Sequence, residues 1–296
     1  MDFGRLITAM VTPFHNDLTI DWEQTGKLID YLIEEQKSDS LVVSGTTGES
    51  PTLTEGEKVQ LFQFAVKHAR GRARIIAGTG SNNTAHSIHL TQQAEAAGVD
   101  GVLLVVPYYN KPSQEGMYQH FKAIASATKL PVMLYNVPSR TVASMSVDTT
   151  LRLANDVPNI IATKECVSID QMGEIAAKAP EQFKVYSGDD IATLPGLSVG
   201  IYGIVSVASH VIGSEMKQMI EAFIQGHNQE ALELNNKLTP VFKGLFSCPH
   251  PVPNPVAVKY ALNLQGIEVG GVRLPLVQAT EQEQQFIKQL LDSNRS

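Results

Sequence analysis

Ile160-Ile161-Ala162-Thr163-Lys164 is the stretch on which the fold turns. Four apolar or β-branched residues in a row, without polar alternation, suit a strand buried on both faces, as strands of parallel sheets are. The same signature recurs at 6–11, 41–44, 74–77, 101–106, 132–135, 184–187 and 203–207, which makes eight strand candidates. Each is followed by a longer amphipathic pattern. At 55–69, Val59, Phe62, Ala65 and Val66 recur at helical spacing behind Thr54, a fitting N-cap. At 84–97 the pattern is closed by Gly98, which can take the left-handed conformation that ends helices. Strands alternating with helices at intervals of roughly 25–30 residues admit either a doubly wound sheet or a closed barrel. The count of eight and the near-even spacing favour the barrel.

Beyond 207 and a helical pattern at 212–223 the strand signal stops, and 226–246, 256–264 and 281–291 read as helices. Between them, 248–255 carries Pro249, Pro251, Pro253 and Pro255 and reads as a stiff extended connector rather than a recognition motif. The expected fold is therefore α/β: a (β/α)₈ TIM barrel over 1–225, with a small all-helical C-terminal extension over 226–296.

Composition narrows the function. The chain has 296 residues, 43% of them hydrophobic, enough for a large core without disulfides or a structural metal. Its 23 Lys and Arg against 30 Asp and Glu give a net charge of −7, with no block of like charges, which argues against a nucleic-acid partner. No apolar run reaches the ~18 residues of a membrane span. Met1-Asp2-Phe3-Gly4-Arg5 does not begin a secretory signal, and Cys166 and Cys248 form no disulfide or metal pattern, so a cytoplasmic protein is expected. No cofactor or metal is expected either. His86 and His89 lack both a His-Glu-x-x-His context and a third ligand, and Gly78-Thr79-Gly80 lacks the third glycine of a dinucleotide loop. Asp189-Asp190 reads as a hydrogen-bonding or helix-capping pair rather than a Mg²⁺ site.

In a barrel of this kind the chemistry lies at the C-terminal ends of the strands. Those ends carry Gly45-Thr46-Thr47-Gly48-Glu49-Ser50, Pro107-Tyr108-Tyr109-Asn110, Tyr135-Asn136-Val137-Pro138-Ser139-Arg140, Thr163-Lys164-Glu165, Ser187-Gly188-Asp189-Asp190 and Val205-Ser206-Val207. Lys164 is the informative residue. An amine is nucleophilic only when neutral, and enclosure lowers a lysine pKa, so Lys164 is a candidate Schiff-base former. The alternative is a lysine paired with Glu165 at the rim. Schiff-base chemistry moves protons, and the hydroxyls of Tyr135 and Thr46 could relay them. Backbone N–H groups of the 45–50 turn could hold a carboxylate, and Arg140 could grip a second one bidentately. The turn is not a phosphate loop, since no Gly-Lys-Ser/Thr follows.

Five motifs carry a resemblance that covers essentially the whole chain: Ile7-Thr8-Ala9-Met10-Val11-Thr12-Pro13, Gly45-Thr46-Thr47-Gly48-Glu49, Pro107-Tyr108-Tyr109-Asn110-Lys111-Pro112, Tyr135-Asn136-Val137-Pro138-Ser139-Arg140-Thr141 and Arg273-Leu274-Pro275. They resemble the pyruvate-dependent class I aldolases related to N-acetylneuraminate lyase. The lyase branch typically has Ser-Thr in place of Thr46-Thr47 and lacks an arginine matching Arg140. The resemblance therefore implies the branch that condenses pyruvate with L-aspartate 4-semialdehyde to 4-hydroxy-tetrahydrodipicolinate, the entry step of diaminopimelate and lysine synthesis. It implies that Lys164 condenses with pyruvate and that Thr46 and Thr47 hold the pyruvate carboxylate. Tyr135, Thr46 and Tyr109 would relay protons, with Tyr109 reaching in from a neighbouring subunit. Arg140 would bind the aldehyde substrate, and Gly188 and Val205 would line the site through their backbones. The family is commonly a dimer of dimers. Two alternatives stand beside this reading: a pyruvate-Schiff-base lyase acting on a sugar acid or 4-hydroxy-2-oxoglutarate, and a catalytically silent barrel that binds a small molecule, for which Lys164 or Tyr135 should have been lost.

Two departures from the family pattern matter. Feedback-inhibited members bind lysine in a cleft matching Ser50, Pro51, Glu55, Lys58, Asn82, His86 and Tyr108. Here Ser50, Asn82 and Tyr108 fit, but Glu55 and Lys58 replace histidines and His86 replaces a glutamate, so weak or absent lysine inhibition is expected. Second, Cys166 stands where relatives usually have alanine. It reads either as a small buried residue or as an oxidisable thiol on the same side of the strand as Lys164.

Overall fold

In the computed structural model, which describes residues 2–295, the eight strands are β1 (Leu6–Ala9), β2 (Ser40–Val43), β3 (Arg74–Gly78), β4 (Gly101–Val105), β5 (Val132–Asn136), β6 (Ile160–Glu165), β7 (Lys184–Ser187) and β8 (Gly203–Ser206). They pair in sequence order, all parallel, and β8 closes onto β1. The expected barrel is therefore formed, with helices between its strands.

Near-continuous apolarity follows from burial on both faces. Ile7, Ala9, Val42, Ile76, Leu103, Met133, Tyr135, Ala162, Tyr186 and Val205 fill the barrel interior. Their strand neighbours, among them Leu6, Leu41, Ile75, Val102, Leu134, Val185 and Ile204, pack outward against the helices. Alternation on β6 decides the chemistry. Ala162 points inward, so Lys164, two residues on, does the same, while Thr163 and Glu165 face the helix layer.

The helix signals read in the sequence are present. Thr54 caps Glu55–Ala69 in a reciprocal capping box with Glu57, and Gly98 ends Thr84–Ala97 at φ 84°. Strands β1 and β8 stop short of the expected 6–11 and 203–207 because side chains capture the next N–H groups. Val11 N–H donates to His210 Nε2 (3.1 Å), and Val207 N–H donates to Asp190 Oδ2 (3.2 Å).

After β8 come the helices Ser209–Ile224, Asn228–Gly244, Val256–Leu264 and Glu281–Arg295. Asn228–Gly244 packs on Ser209–Ile224 and Glu281–Arg295, and Val256–Leu264 packs on the same two helices. The proline-rich connector forms no helix or strand, only an isolated bridge between Ser247 and Pro251.

His210 ties β1 to β8. Its ring is fully buried, with Nδ1 2.8 Å from the Val207 carbonyl and Nε2 accepting from Val11. Nδ1 must carry the proton, and protonating Nε2 as well would break the second bond. Burial lowers the His210 pKa to about 4, and that of His120 likewise. The unfolded chain takes up these protons near 6.5 and the folded chain only near 4, so their contribution to stability falls as pH drops through that window. Urea unfolding from pH 7 to 4 should show this decline. His210→Phe should cost about 1–3 kcal/mol at pH 7 by leaving the buried Val11 N–H unpaired, while the Val207 carbonyl keeps the His210 backbone N–H (3.1 Å), and should retain only the part of the decline that His120 carries.

Candidate active site

Lys164 lies in register with Tyr135 on β5 and Tyr186 on β7, and is 6% exposed. Its Nζ is 4.3 Å from the centre of the Tyr135 ring. Burial pulls the amine below its ordinary pKa, more strongly than Cys166 and Asp190 pull it upward. Among the described residues Lys164 has no ion-pair partner. The rim pair with Glu165 is ruled out by the strand period: Glu165 accepts from Thr163 Oγ1 (2.7 Å) and Asn136 Nδ2 (3.0 Å) on the outer face, where burial raises its carboxyl to about 7. A desolvated, unpaired amine at the floor of an open cavity can act as a nucleophile.

The cavity above it, about 350 Å³, is walled by Thr46, Thr47, Tyr135, Arg140, Gly188 and Cys166, among others. A larger cavity of about 600 Å³ shares Thr46, Tyr135, Val137 and Arg140 with it and runs on to Ser50, Asn82, His86 and Tyr108. Burial raises the Tyr135 phenol, Cys166 beside it pushes the same way, and a hydrogen bond with Thr46 opposes them. Thr46 and Tyr135 thus come together on the cavity wall. The N–H groups of Thr46 and Thr47 have no acceptor among the described residues, which leaves them open to carboxylate oxygens. Arg140 stands exposed on the short helix Pro138–Thr141, on the wall common to both cavities. Gly188 makes room: a Cβ there would lie 2.6 Å from Lys164 Cε and 2.3 Å from Cys166 Sγ.

Neither Val205 nor Tyr109 lines a cavity of its own chain. Val205 is enclosed in the barrel core below the cavity, and Val207, two residues on, lines the wall instead. Tyr109 is 90% exposed, held at φ 69°, and lines neither cavity of its own chain. An aromatic residue in that backbone region needs a compensating contact, which a second subunit could provide.

Asp189 and Asp190 take the hydrogen-bonding role. Asp189 accepts from Ile191 N–H, and Asp190 Oδ2 from the N–H groups of Val207 and Ala208. Missed in the sequence were Asn254, Phe242 and Phe246, which the C-terminal extension brings to the wall. Asn254 donates to Thr47 Oγ1 (2.9 Å) across 207 positions, a contact with no local sequence signal. Below them Lys259 pairs with Glu49 (3.0 Å), both buried.

At the far end of the larger cavity, Asn82 Nδ2 donates to the Tyr108 carbonyl (3.2 Å), and Glu55 lies between His86 (3.4 Å) and His89 (3.0 Å). Glu55, where the resemblance implies a histidine, thus faces His86, where it implies a glutamate.

Cys166 is only half-buried and lines the cavity wall, but desolvation raises its thiol to about 11, and a thiol held protonated is a poor target for oxidation. At pH 8 its alkylation, followed by peptide mapping, should be about a hundredfold slower than that of an ordinary free thiol. Rapid labelling blocked by pyruvate would restore the redox reading.

The chain is similar to known proteins over nearly its whole length. The model of the dihydrodipicolinate synthetase family matches residues 2–294. The 4-hydroxy-tetrahydrodipicolinate synthase of Bacillus subtilis is 57% identical over 284 residues, 96% of each chain. The crystal structure of a dihydrodipicolinate synthase from Bacillus anthracis is 52% identical and superposes with a TM-score of 0.95, over 99% of this chain and 98% of that one. The enzyme from Cyanidioschyzon merolae, solved with lysine bound, is 43% identical with a TM-score of 0.95, over 99% and 98% of the two chains. The chain belongs to the dihydrodipicolinate synthetase family.

Proposed function

We propose that the chain is a lyase that condenses pyruvate with L-aspartate 4-semialdehyde, through a Schiff base on Lys164, to 4-hydroxy-tetrahydrodipicolinate, the entry step of diaminopimelate and lysine synthesis. The observation that carries this reading is the buried, unpaired Lys164 amine against Tyr135, at the floor of a cavity bearing both Thr46-Thr47 and Arg140. The neutral amine adds to the keto carbon of pyruvate, whose carboxylate the Thr46 and Thr47 N–H groups hold. Tyr135 and Thr46 pass protons as the carbinolamine loses water. Removal of a methyl proton gives the enamine, which attacks the aldehyde while Arg140 holds the second carboxylate. The substrate amine then closes the ring and releases Lys164.

The relay is completed by Tyr109 of a neighbouring subunit, so the working unit is at least a dimer and, by family habit, a dimer of dimers. The exposure and backbone conformation of Tyr109 support this. Gly188 and Val205 complete the site, Gly188 by leaving space and Val205 from beneath. The same reading treats 1–225 as the catalytic barrel and 226–296 as its helical extension, in a cytoplasmic protein whose two cysteines are both free. No helix among the described residues is long and apolar enough to cross a membrane.

A coupled assay separates this reading from its rival. Turnover should require aspartate semialdehyde beside pyruvate, and preferential cleavage of a sugar acid or 4-hydroxy-2-oxoglutarate would replace it. The cleft at Ser50, Asn82, His86 and Tyr108 presents His86 where the resemblance implies a glutamate for the ammonium of lysine, and Glu55, which faces His86, does not line the cleft. Activity is therefore expected to persist in sub-millimolar lysine, and strong inhibition there would contradict this account of the cleft.

A further inference from the structure

The segment 137–144 carries Arg140 and forms part of the wall of both cavities, and one side chain ties its two ends together. Asn136, the last residue of β5, is fully buried and, one residue past the inward-facing Tyr135, is turned to the helix layer. Its Oδ1 accepts from the Met145 N–H (3.1 Å) and its Nδ2 donates to the Met145 carbonyl (2.9 Å), so the amide pairs with that backbone across nine positions as a neighbouring strand would. The same Nδ2 donates to Glu165 Oε2 (3.0 Å), which uses both N–H groups and the oxygen of the amide. Gln171, on the helix Ile169–Lys178, reaches the same Met145 carbonyl (3.4 Å) and the same Glu165 oxygen (3.5 Å). Asn136 and Glu165 are register partners on β5 and β6, directly after the pair Tyr135 and Lys164. One buried amide thus joins the strand of the lysine to the far end of the segment that bears the arginine.

The arginine needs that support. No hydrogen bond or ion pair holds the Arg140 side chain among the described residues, so the backbone beneath it decides where the guanidinium stands. Within the segment, Thr141 Oγ1 donates to the Val137 (3.1 Å) and Ala143 (2.7 Å) carbonyls, and Val142 is exposed in the left-handed region at φ 56°. These contacts shape the segment but do not fix it to the barrel. We propose that Asn136 is a positioning residue for the second substrate: paired with Met145 and Glu165, it sets the Arg140 segment at a fixed distance from Lys164, so that the aldehyde is held over the enamine. This rests on the reading of Arg140 as the holder of that substrate's carboxylate. Asn136 itself, on the outer face of the barrel, touches no substrate. On the solvent side Gln114 Nε2 donates to the Ser144 carbonyl (2.8 Å) and Gln114 Oε1 accepts from the Ser146 N–H (3.0 Å), so loss of the Asn136 contacts loosens the segment without releasing it.

The test is Asn136→Ala in the full chain, with Arg140→Ala beside it. In Asn136→Ala the KM for aspartate semialdehyde should rise about tenfold, the scale of loss when a holding group is misplaced by a fraction of an ångström. The KM for pyruvate, and the rate at which borohydride traps the pyruvate adduct on Lys164, should stay within about twofold of the wild type, since the strand ladder holds Lys164 beside Tyr135. The double variant Asn136→Ala/Arg140→Ala should have the same KM for aspartate semialdehyde as Arg140→Ala alone, because Asn136 acts only through Arg140. An unchanged KM for the aldehyde in Asn136→Ala overturns the proposal. A loss shared by both substrates, or one that adds to that of Arg140→Ala, overturns it too, since either marks general support of the barrel. If Asn136→Ala does not fold, hydrogen exchange in the wild-type chain carries the test. The Met145 N–H, whose acceptor is Asn136 Oδ1, should exchange as slowly as the N–H groups of β5, and exchange at the rate of an exposed loop overturns the proposal. If the wild-type chain does not turn over aspartate semialdehyde, or Arg140→Ala leaves its KM unchanged, the underlying reading fails; a rise in Arg140→Ala with none in Asn136→Ala defeats only the role of Asn136.

Discussion

Replacing Lys164 by alanine is expected to abolish the reducible pyruvate adduct and to lower turnover by at least about 10³-fold, because the other amine lining this cavity, Lys243, is solvent-exposed and not enclosed as Lys164 is. The loss should be one of chemistry and not of fold. Lys164 makes no ion pair among the described residues, and burial disfavours its charged form, so removing it spares the protein a desolvation cost. The thermal midpoint of Lys164→Ala should therefore equal or exceed that of the wild type. A variant that lost activity together with several degrees of stability would mean that the lysine holds the barrel together. Retained turnover would remove the Schiff base altogether.

The second large effect lies outside the barrel. Lys259→Met is expected to destabilise the chain by about 3–5 kcal/mol in urea unfolding, the usual consequence of leaving one member of a buried pair uncompensated. Lys259 is 2% exposed, 3.0 Å from Glu49, and bonded as well to the Gly271 carbonyl. Glu49 also accepts from Arg273 N–H (2.8 Å), and its backbone is left-handed, at φ 57°. It ends the turn that presents Thr46 and Thr47, so the C-terminal extension fixes that turn from below while Asn254 fixes it from the side. Neutralising Glu49 in the same chain, as Lys259→Met/Glu49→Gln, should recover part of the loss, and that non-additivity is the signature of a direct pair. Additive losses would show that the two residues act independently. The substrate-holding turn should also loosen, raising KM for pyruvate in the single variant.

Most of the catalytic face was legible because it is local. A non-alternating strand ending in lysine, repeated strands at even spacing, and glycine, tyrosine and arginine at their ends all follow from rules that act over a few residues. Where a neighbour in sequence misleads, the period of two corrects it: Glu165 adjoins Lys164 but faces the opposite way, and Val205 falls below the cavity that Val207 reaches. The rest was hidden because it depends on distance along the chain. Asn254 meets Thr47 across 207 positions and Lys259 meets Glu49 across 210, and nothing in either segment marks the contact. The prolines around Asn254 were read as a connector, which they form, but a connector can also carry a side chain to the site. Tyr109 was legible only through resemblance, since its own chain leaves it in solvent.

The −7 net charge bears on how the substrates arrive. Pyruvate is an anion and aspartate semialdehyde a zwitterion without net charge, so the field of the whole protein gathers neither. On the proposed reading recognition comes from local donors, the N–H groups of Thr46 and Thr47 and the guanidinium of Arg140, residues that all line the smaller cavity above Lys164.

Borohydride reduction in the presence of pyruvate, followed by peptide mass spectrometry, tests the central claim most directly. The account predicts a single reduced pyruvyl adduct, on the peptide containing Lys164, and none when pyruvate is omitted. No adduct, or an adduct on another lysine with Lys164 unmodified, would contradict it.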